Sequence, residues 1–293
     1  MTQAPKGKLI AVGGNIDKGT DEEGSMLYSA VNFFEYGILK RIISETRGPG
    51  SRMEVITTAS MIPEEVGASY LEAFSRLGAT NVGVMHIRER AQAYEPEYLN
   101  RLAAADGIMI TGGNQLRLTT IFGGTPFHKL MLDKYWNGPF MISGTSAGAM
   151  AMSNTMIYEG ESEDALLKGT VRITTGLALI KDVVIDTHFV KRGRFGRLAQ
   201  AVCSNPGAIG IGLADDTGLL ITEGNYLETI GIGLVLIFDG SHIRYTNIAD
   251  LPAGLPISIE NLQVHVLAKG NAYVLDAHTF YPTMDKAFVG AKG

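Results

Sequence analysis

The chain has 293 residues, enough for one large α/β domain or two small ones, and its 45% apolar and 19% charged residues are the balance of a globular protein with a substantial core. A formal net charge of −5 argues against a nucleic-acid binder, because neutralising phosphates needs a basic excess. The single cysteine, Cys203, excludes an intrachain disulfide, and the longest apolar stretch, near 230–238, is too short for a membrane span of about 20 residues.

The start, MTQAPKGKLIAVGG, lacks the charged region and apolar core of a secretory leader, so a reducing cytoplasm is the expected setting. KLIAVGG (8–14) reads as a first strand closed by glycines. Residues 31–46 follow with helical spacing, which puts Phe34, Ile38, Ile42 and Ile43 on one face. MEVITTAS (53–60) is a second strand, and Pro63-Glu64-Glu65 starts a helix with proline and acids in its first turn. NVGVMHI (81–87), GIMITGG (107–113) and PFMISGT (139–145) continue the strands.

These strands are continuous apolar runs separated by helices, the pattern of a sheet buried on both faces. They predict an α/β fold with a doubly wound, mostly parallel sheet, whose ligands bind beyond the carboxyl ends of the strands. The glycine-rich ends at 112–113 and 144–148 then point towards one cleft. In the second half VVIDTHF (183–189) is strand-like and a basic helix runs from about Arg194 to Cys203. Further strands follow, joined by turns such as Asp239-Gly240 and Gly270-Asn271. With no repeat and no Pro/Ser-rich linker, the expectation is one α/β domain over 1–293, with an antiparallel, β-rich extension at 205–285.

The strongest local signal is Ser143-Gly144-Thr145-Ser146-Ala147-Gly148-Ala149. It contains G-x-S-x-G where a strand should end and a helix begin, a turn that exposes the Ser146 hydroxyl to the cleft. The N–H of Ala147 would face a developing oxyanion, helped by the positive end of the helix. The alternative is a glycine-rich turn with a serine cap. A second glycine turn, Thr111-Gly112-Gly113-Asn114-Gln115, offers an N–H at Gly113 or Asn114 as another oxyanion donor, and Gln115 as a contact for a substrate carboxylate or amide. Read alone, it is a Gly-Gly turn with helix-capping amides.

His188 stands out among six histidines by its company. It ends an apolar strand in Asp186-Thr187-His188-Phe189, and Arg192, Arg194 and Arg197 follow within nine residues. An imidazole near neutral pKa is the usual base for a serine hydroxyl. Guanidinium forks beside it suit a substrate carrying carboxylates. The acid that would fix the imidazole tautomer is left open between Asp215, Asp216 and Asp186 by spacing alone.

GGNQ at 112–115, GTSAGA at 144–149, D-x-H-F with R-x-R-x-x-R at 186–197 and GIGLADDT at 210–217 occur in an order that resembles the cyanophycinases. These are peptidase E-like serine peptidases of the glutamine-amidotransferase-like superfamily. The resemblance runs from the first strand to about Thr222. It implies a flavodoxin-like sheet, a homodimer, no metal and no cofactor. It places the nucleophile on Ser146, the base on His188, the acid on Asp215, and substrate contacts on Gln115, Asp186, Thr187, Arg192, Arg194 and Arg197. The implied reaction is hydrolysis of cyanophycin, a polyaspartate carrying arginine on each β-carboxyl, to β-Asp-Arg. Asp186 would there pair with the substrate guanidinium. Two positions depart from the family pattern: Thr187 stands where glutamine is common, and Asp215 where glutamate is usual. The alternatives are a peptidase E-like α-aspartyl dipeptidase or a non-catalytic binding protein on the same scaffold.

Overall fold

The computed structural model describes residues 4–14, 16–18 and 37–290. The five apolar runs of the first half form β1 (Lys8–Val12), β2 (Met53–Ile56), β3 (Val82–Met85), β4 (Gly107–Ile110) and β5 (Met141–Thr145). They lie parallel in the order β1-β5-β4-β2-β3, so the chain winds outward from β1 and returns to it at β5. Side chains of β2, β4 and β5 are buried throughout, which is why these strands do not alternate polar and apolar residues.

The crossovers are helical: α1 (Ile38–Glu45), α2 (Pro63–Arg76), α3 (Pro96–Ala104), α4 (Gln115–Phe122) and α5 (Pro126–Asn137). Pro63 opens α2 with Glu64 and Glu65 in its first turn, as expected, and Gly67, Tyr70, Ala73 and Phe74 form its buried stripe. The helix expected over 31–46 is α1 where described, with Ile38, Ile42 and Ile43 buried; Phe34 lies outside the described residues. A short α6 (Ala147–Met150) follows β5 directly.

The second half supplies the expected antiparallel strands and divides them between two sheets. Its elements are β6 (Thr155–Glu159), β7 (Arg172–Thr175), β8 (Val183–Thr187), α7 (Phe195–Ser204), β9 (Ile209–Leu213), β10 (Thr217–Thr222), β11 (Tyr226–Gly231), β12 (Val235–Asp239), β13 (Tyr245–Thr246), β14 (Ile259–Glu260), β15 (Gln263–Leu267), β16 (Ala272–Val274), β17 (Thr279–Tyr281) and α8 (Met284–Gly290). β10 pairs antiparallel with β1 and extends the central sheet through β11, β16 and β17 to nine strands among the described residues. β8, β9, β12 and β15 instead make a second sheet, in which β8 and β9 are parallel. The chain crosses between the sheets at residues 214–216. One apolar cluster joins both, from Leu9, Ile110 and Ile142 to Val184, Ile211 and Ile237. No described helix is long and apolar enough to cross a membrane.

Candidate active site

β5 ends at Thr145 and α6 begins at Ala147, leaving Ser146 alone at the turn with φ 49° and ψ −112°. A serine there carries roughly 1–3 kcal/mol of backbone strain, tolerated only when its surroundings fix it. The flanking glycines show how. A Cβ on Gly148 would stand 2.3 Å from the Ile110 carbonyl oxygen, and one on Gly144 would stand 2.7 Å from the Gly148 carbonyl carbon. The turn can therefore sit against β4 only with those side chains absent. Gly112, at the end of β4, brings the second glycine turn against the first: a Cβ on it would be 3.3 Å from Ser146 Cβ. Both glycine-rich strand ends thus meet at one cleft, as the parallel sheet predicted.

The carboxyl end of β1 organises the rest. Val12 O accepts the N–H of Ser146 at 2.9 Å, Gly13 O that of His188 at 2.9 Å, and Gly14 O that of Asp216 at 3.0 Å. Three successive carbonyls therefore receive three segments that are far apart in sequence. His188 (φ 52°) and Asp216 (φ 49°) adopt left-handed conformations like Ser146, so each strand turns sharply as it reaches this point. Gly14 lies against the imidazole, and a Cβ on it would be 2.1 Å from His188 Cε1. A Cβ on Gly13 would be 1.9 Å from the Ala214 carbonyl oxygen. Sequence spacing did not single out Gly13 and Gly14 as site residues. Their signal is two glycines closing the strand on which the sheet order turns.

Ser146 Oγ lies 3.1 Å from His188 Nε2, and His188 Nδ1 lies 2.6 Å from Asp215 Oδ1. Of the acids left open by spacing, Asp215 is the one facing the ring, with Lys191 Nζ 3.9 Å from its other oxygen. Asp216 Oδ1 accepts the Asp17 N–H. Burial lowers the His188 pKa below its ordinary value, and the positive charges of Arg192 and Arg194 add to this, while Asp215 opposes them. The imidazole is therefore neutral at pH 7. Its Nδ1–H points at a carboxylate and its Nε2 lone pair at a hydroxyl.

Ser146 opens onto a cleft of about 660 Å³, walled also by Gly113, Gln115 and Thr187. Ala147 is buried at the start of α6 beneath it. The Asn114 N–H already donates to Ala59 O, and its side chain caps α4 by accepting from Leu116 N. That leaves Gly113 as the oxyanion candidate of the second turn. Gln115 reaches across to β6, donating from Nε2 to Ile157 O at 3.0 Å.

The basic cluster divides. Arg192, Arg194 and Arg197 all line the cleft, but they are held differently. Burial pushes the Arg194 pKa down to about 10, with Asp186 opposing, so it stays charged at neutral pH. Arg197 is buried and clamps Asp186 by a two-pronged contact, Nε to Oδ2 at 2.6 Å and Nη2 to Oδ1 at 2.5 Å. Arg194 Nη1 adds a longer contact to the same carboxylate, at 3.4 Å, and donates to Thr187 O at 2.8 Å. Asp186 is fully buried and has both oxygens engaged, so it does not face a substrate guanidinium as expected. Its role in the fold is to anchor the arginine segment beside β8.

A serine at a glycine-pinned strand–helix turn, hydrogen-bonded to a neutral imidazole at the carboxyl end of a parallel sheet, is the outline of a hydrolase, and this protein is a peptidase. The chain belongs to peptidase family S51, whose model matches residues 30–229. It is 32% identical over 284 residues to the cyanophycinase of Trichormus variabilis (strain ATCC 29413 / PCC 7937), covering 97% of this chain and 91% of that one. It is 33% identical over 273 residues to the cyanophycinase of Synechococcus elongatus, covering 93% and 80%. In fold it is similar to the crystal structure of a peptidase from an acI-B1 Actinobacterium, with a TM-score of 0.64 at 20% identity over 93% of this chain and 98% of that one.

Proposed function

We propose that this peptidase is a serine-type exopeptidase that hydrolyses cyanophycin, multi-L-arginyl-poly-L-aspartate, to β-Asp-Arg dipeptides. The observation that carries this reading is the continuous line from Ser146 Oγ through His188 to Asp215 Oδ1, 3.1 Å and then 2.6 Å, which starts at a cleft that Arg192 and Arg194 also line. Near-full-length similarity to proteins named cyanophycinase supports the substrate.

In this mechanism neutral His188 takes the Ser146 proton through Nε2 as the oxygen attacks the scissile aspartyl carbonyl. Asp215 holds the ring in the tautomer with its proton on Nδ1 and stabilises the imidazolium that forms. The N–H groups of Ala147 and Gly113 receive the oxyanion, in a direction fixed before substrate arrives. His188 then returns its proton to the leaving amide nitrogen, the C–N bond breaks, and an acyl ester remains on Ser146. Water, deprotonated by the same imidazole, hydrolyses the ester and frees the serine. Arg192 and Arg194 hold free carboxylates of the substrate, those of the arginine units and of the polymer terminus.

The test is incubation of the purified enzyme with cyanophycin and mass analysis of the products. Release of β-Asp-Arg, abolished in Ser146→Ala, is the expected result. Hydrolysis of an α-Asp-X dipeptide with the polymer left intact would favour the peptidase E-like activity instead. Turnover that survives Ser146→Ala would overturn the assigned nucleophile.

A further inference from the structure

Asp186 is committed to arginines of the protein itself, so the substrate's own arginine needs another acceptor. The cleft supplies one beside the arginine segment. The stretch at the end of β6 brings Glu159, Glu161 and Glu163 to the cleft wall. It is tied to the arginine segment at two points: Arg197 Nη1 donates to Gly160 O at 3.0 Å, and Ser162 Oγ donates to Arg192 O at 2.6 Å. Glu159 is engaged at 3.4 Å by Arg172, with both side chains exposed. Glu161 and Glu163 make no ion pair within 4.0 Å among the described residues, and neither does Arg192, although all three line one cleft.

A second observation points the same way. Thr187 is fully buried, belongs to the same cleft wall, and its Oγ1 has no hydrogen-bond partner among the described residues. A buried hydroxyl left in this state is costly unless a ligand completes it. A guanidinium presents five N–H donors in a plane and no acceptor, so one carboxylate cannot satisfy it, whereas two carboxylates and a hydroxyl oxygen can.

Building on the function proposed above, we infer that Glu161 and Glu163, together with the Thr187 hydroxyl, form the subsite for the arginine side chain of the β-Asp-Arg unit, with Arg192 on the carboxylate side. The cleft is then a template for a ligand with both charges, and the glutamates set which side chain the enzyme accepts.

The experiment compares binding of β-Asp-Arg and of β-Asp-citrulline, its neutral near-isostere, to Ser146→Ala protein by calorimetry. A preference for the arginine ligand of roughly tenfold or more is expected, since two partly solvated charge contacts and one hydroxyl are at stake. Adding Glu161→Gln and Glu163→Gln should bring the two ligands to similar Kd, and Thr187→Val should narrow the gap by a smaller factor. Glu163→Lys, with the fold checked by thermal unfolding, should reverse the preference. Equal binding of both ligands by the Ser146→Ala parent, or a preference that survives the double glutamine variant, overturns the subsite. Turnover of cyanophycin by the unsubstituted enzyme is measured in parallel. Its absence overturns the proposed function alone, and the binding comparison still decides the subsite.

Discussion

The elbow around Ser146 and the ledge formed by β8 and β9 place their residues by different means. The elbow is local: one strand end, one strained residue and two glycines within five positions fix where the hydroxyl goes. The ledge is long-range. His188 leaves a strand of the second sheet and Asp215 leaves its parallel neighbour, with Thr187 opposite Leu213 in register. The imidazole reaches the serine because Gly13 O holds His188 N and Gly14 O holds Asp216 N, so its position depends on how the two sheets meet at β1. A hydroxyl can thus be placed by a short segment, while the imidazole beside it is placed by the pairing of whole sheets.

The largest expected effect tests the local half. Ser146→Ala should lower turnover by about 10⁴–10⁶-fold, with thermal stability close to that of the parent. Steady-state rates within tenfold of the parent would show that the elbow does not carry the chemistry.

The ledge can be divided by its two aspartates. Asp215→Asn leaves the ring in place but removes the charge beside Nδ1, and should cost roughly 10³–10⁴-fold in kcat with little change in Tm. Asp186→Asn leaves buried Arg197 without its carboxylate and should destabilise the fold by about 3–5 kcal/mol, read as a lower midpoint in urea. A large loss of stability from the first, or none from the second, would reverse the roles given to these residues. Gly14→Ala is the next perturbation. Its methyl would overlap the imidazole, and φ 139° disfavours any side chain there. Activity should fall at least 10²-fold through displacement of His188, and Tm should drop by several degrees.

The same contrast explains what could be read from the chain alone. Largely apolar strands without regular polar alternation announced the parallel sheet, and glycines on either side of Ser146 announced its turn, because both signals are sterically local. The division of the later strands between two sheets was not readable, since β8, β9 and β10 carry the same apolar pattern whichever sheet they join. The setting of Asp186 is hidden in the sequence for a related reason. A carboxylate next to a histidine and three arginines looks the same in sequence whether it faces a substrate or a buried guanidinium, and only the packing of α7 against the second sheet turns Arg197 inward. Gly13 and Gly14 gave a signal that fitted no motif, and their meaning rests on two carbonyl contacts to residues up to some 200 positions away.

The smallest effect concerns the charge around the ring. His188 must be neutral to accept the serine proton, and burial already places its pKa below 6.5, so the acid limb of kcat/KM should have its midpoint below that value. Arg192 lowers the pKa further because its positive charge disfavours a second one nearby. Arg192→Gln removes that repulsion, the imidazolium becomes easier to form, and the limb should move to higher pH. The shift should be limited, because burial is the leading cause and remains. Asp215→Asn takes away an attraction for the proton and should move the limb the other way, towards lower pH. Arg192 also contacts the cleft, so the height of the profile will fall and only its midpoint is diagnostic. Two midpoints moving in the same direction would mean that the titrating group is not His188.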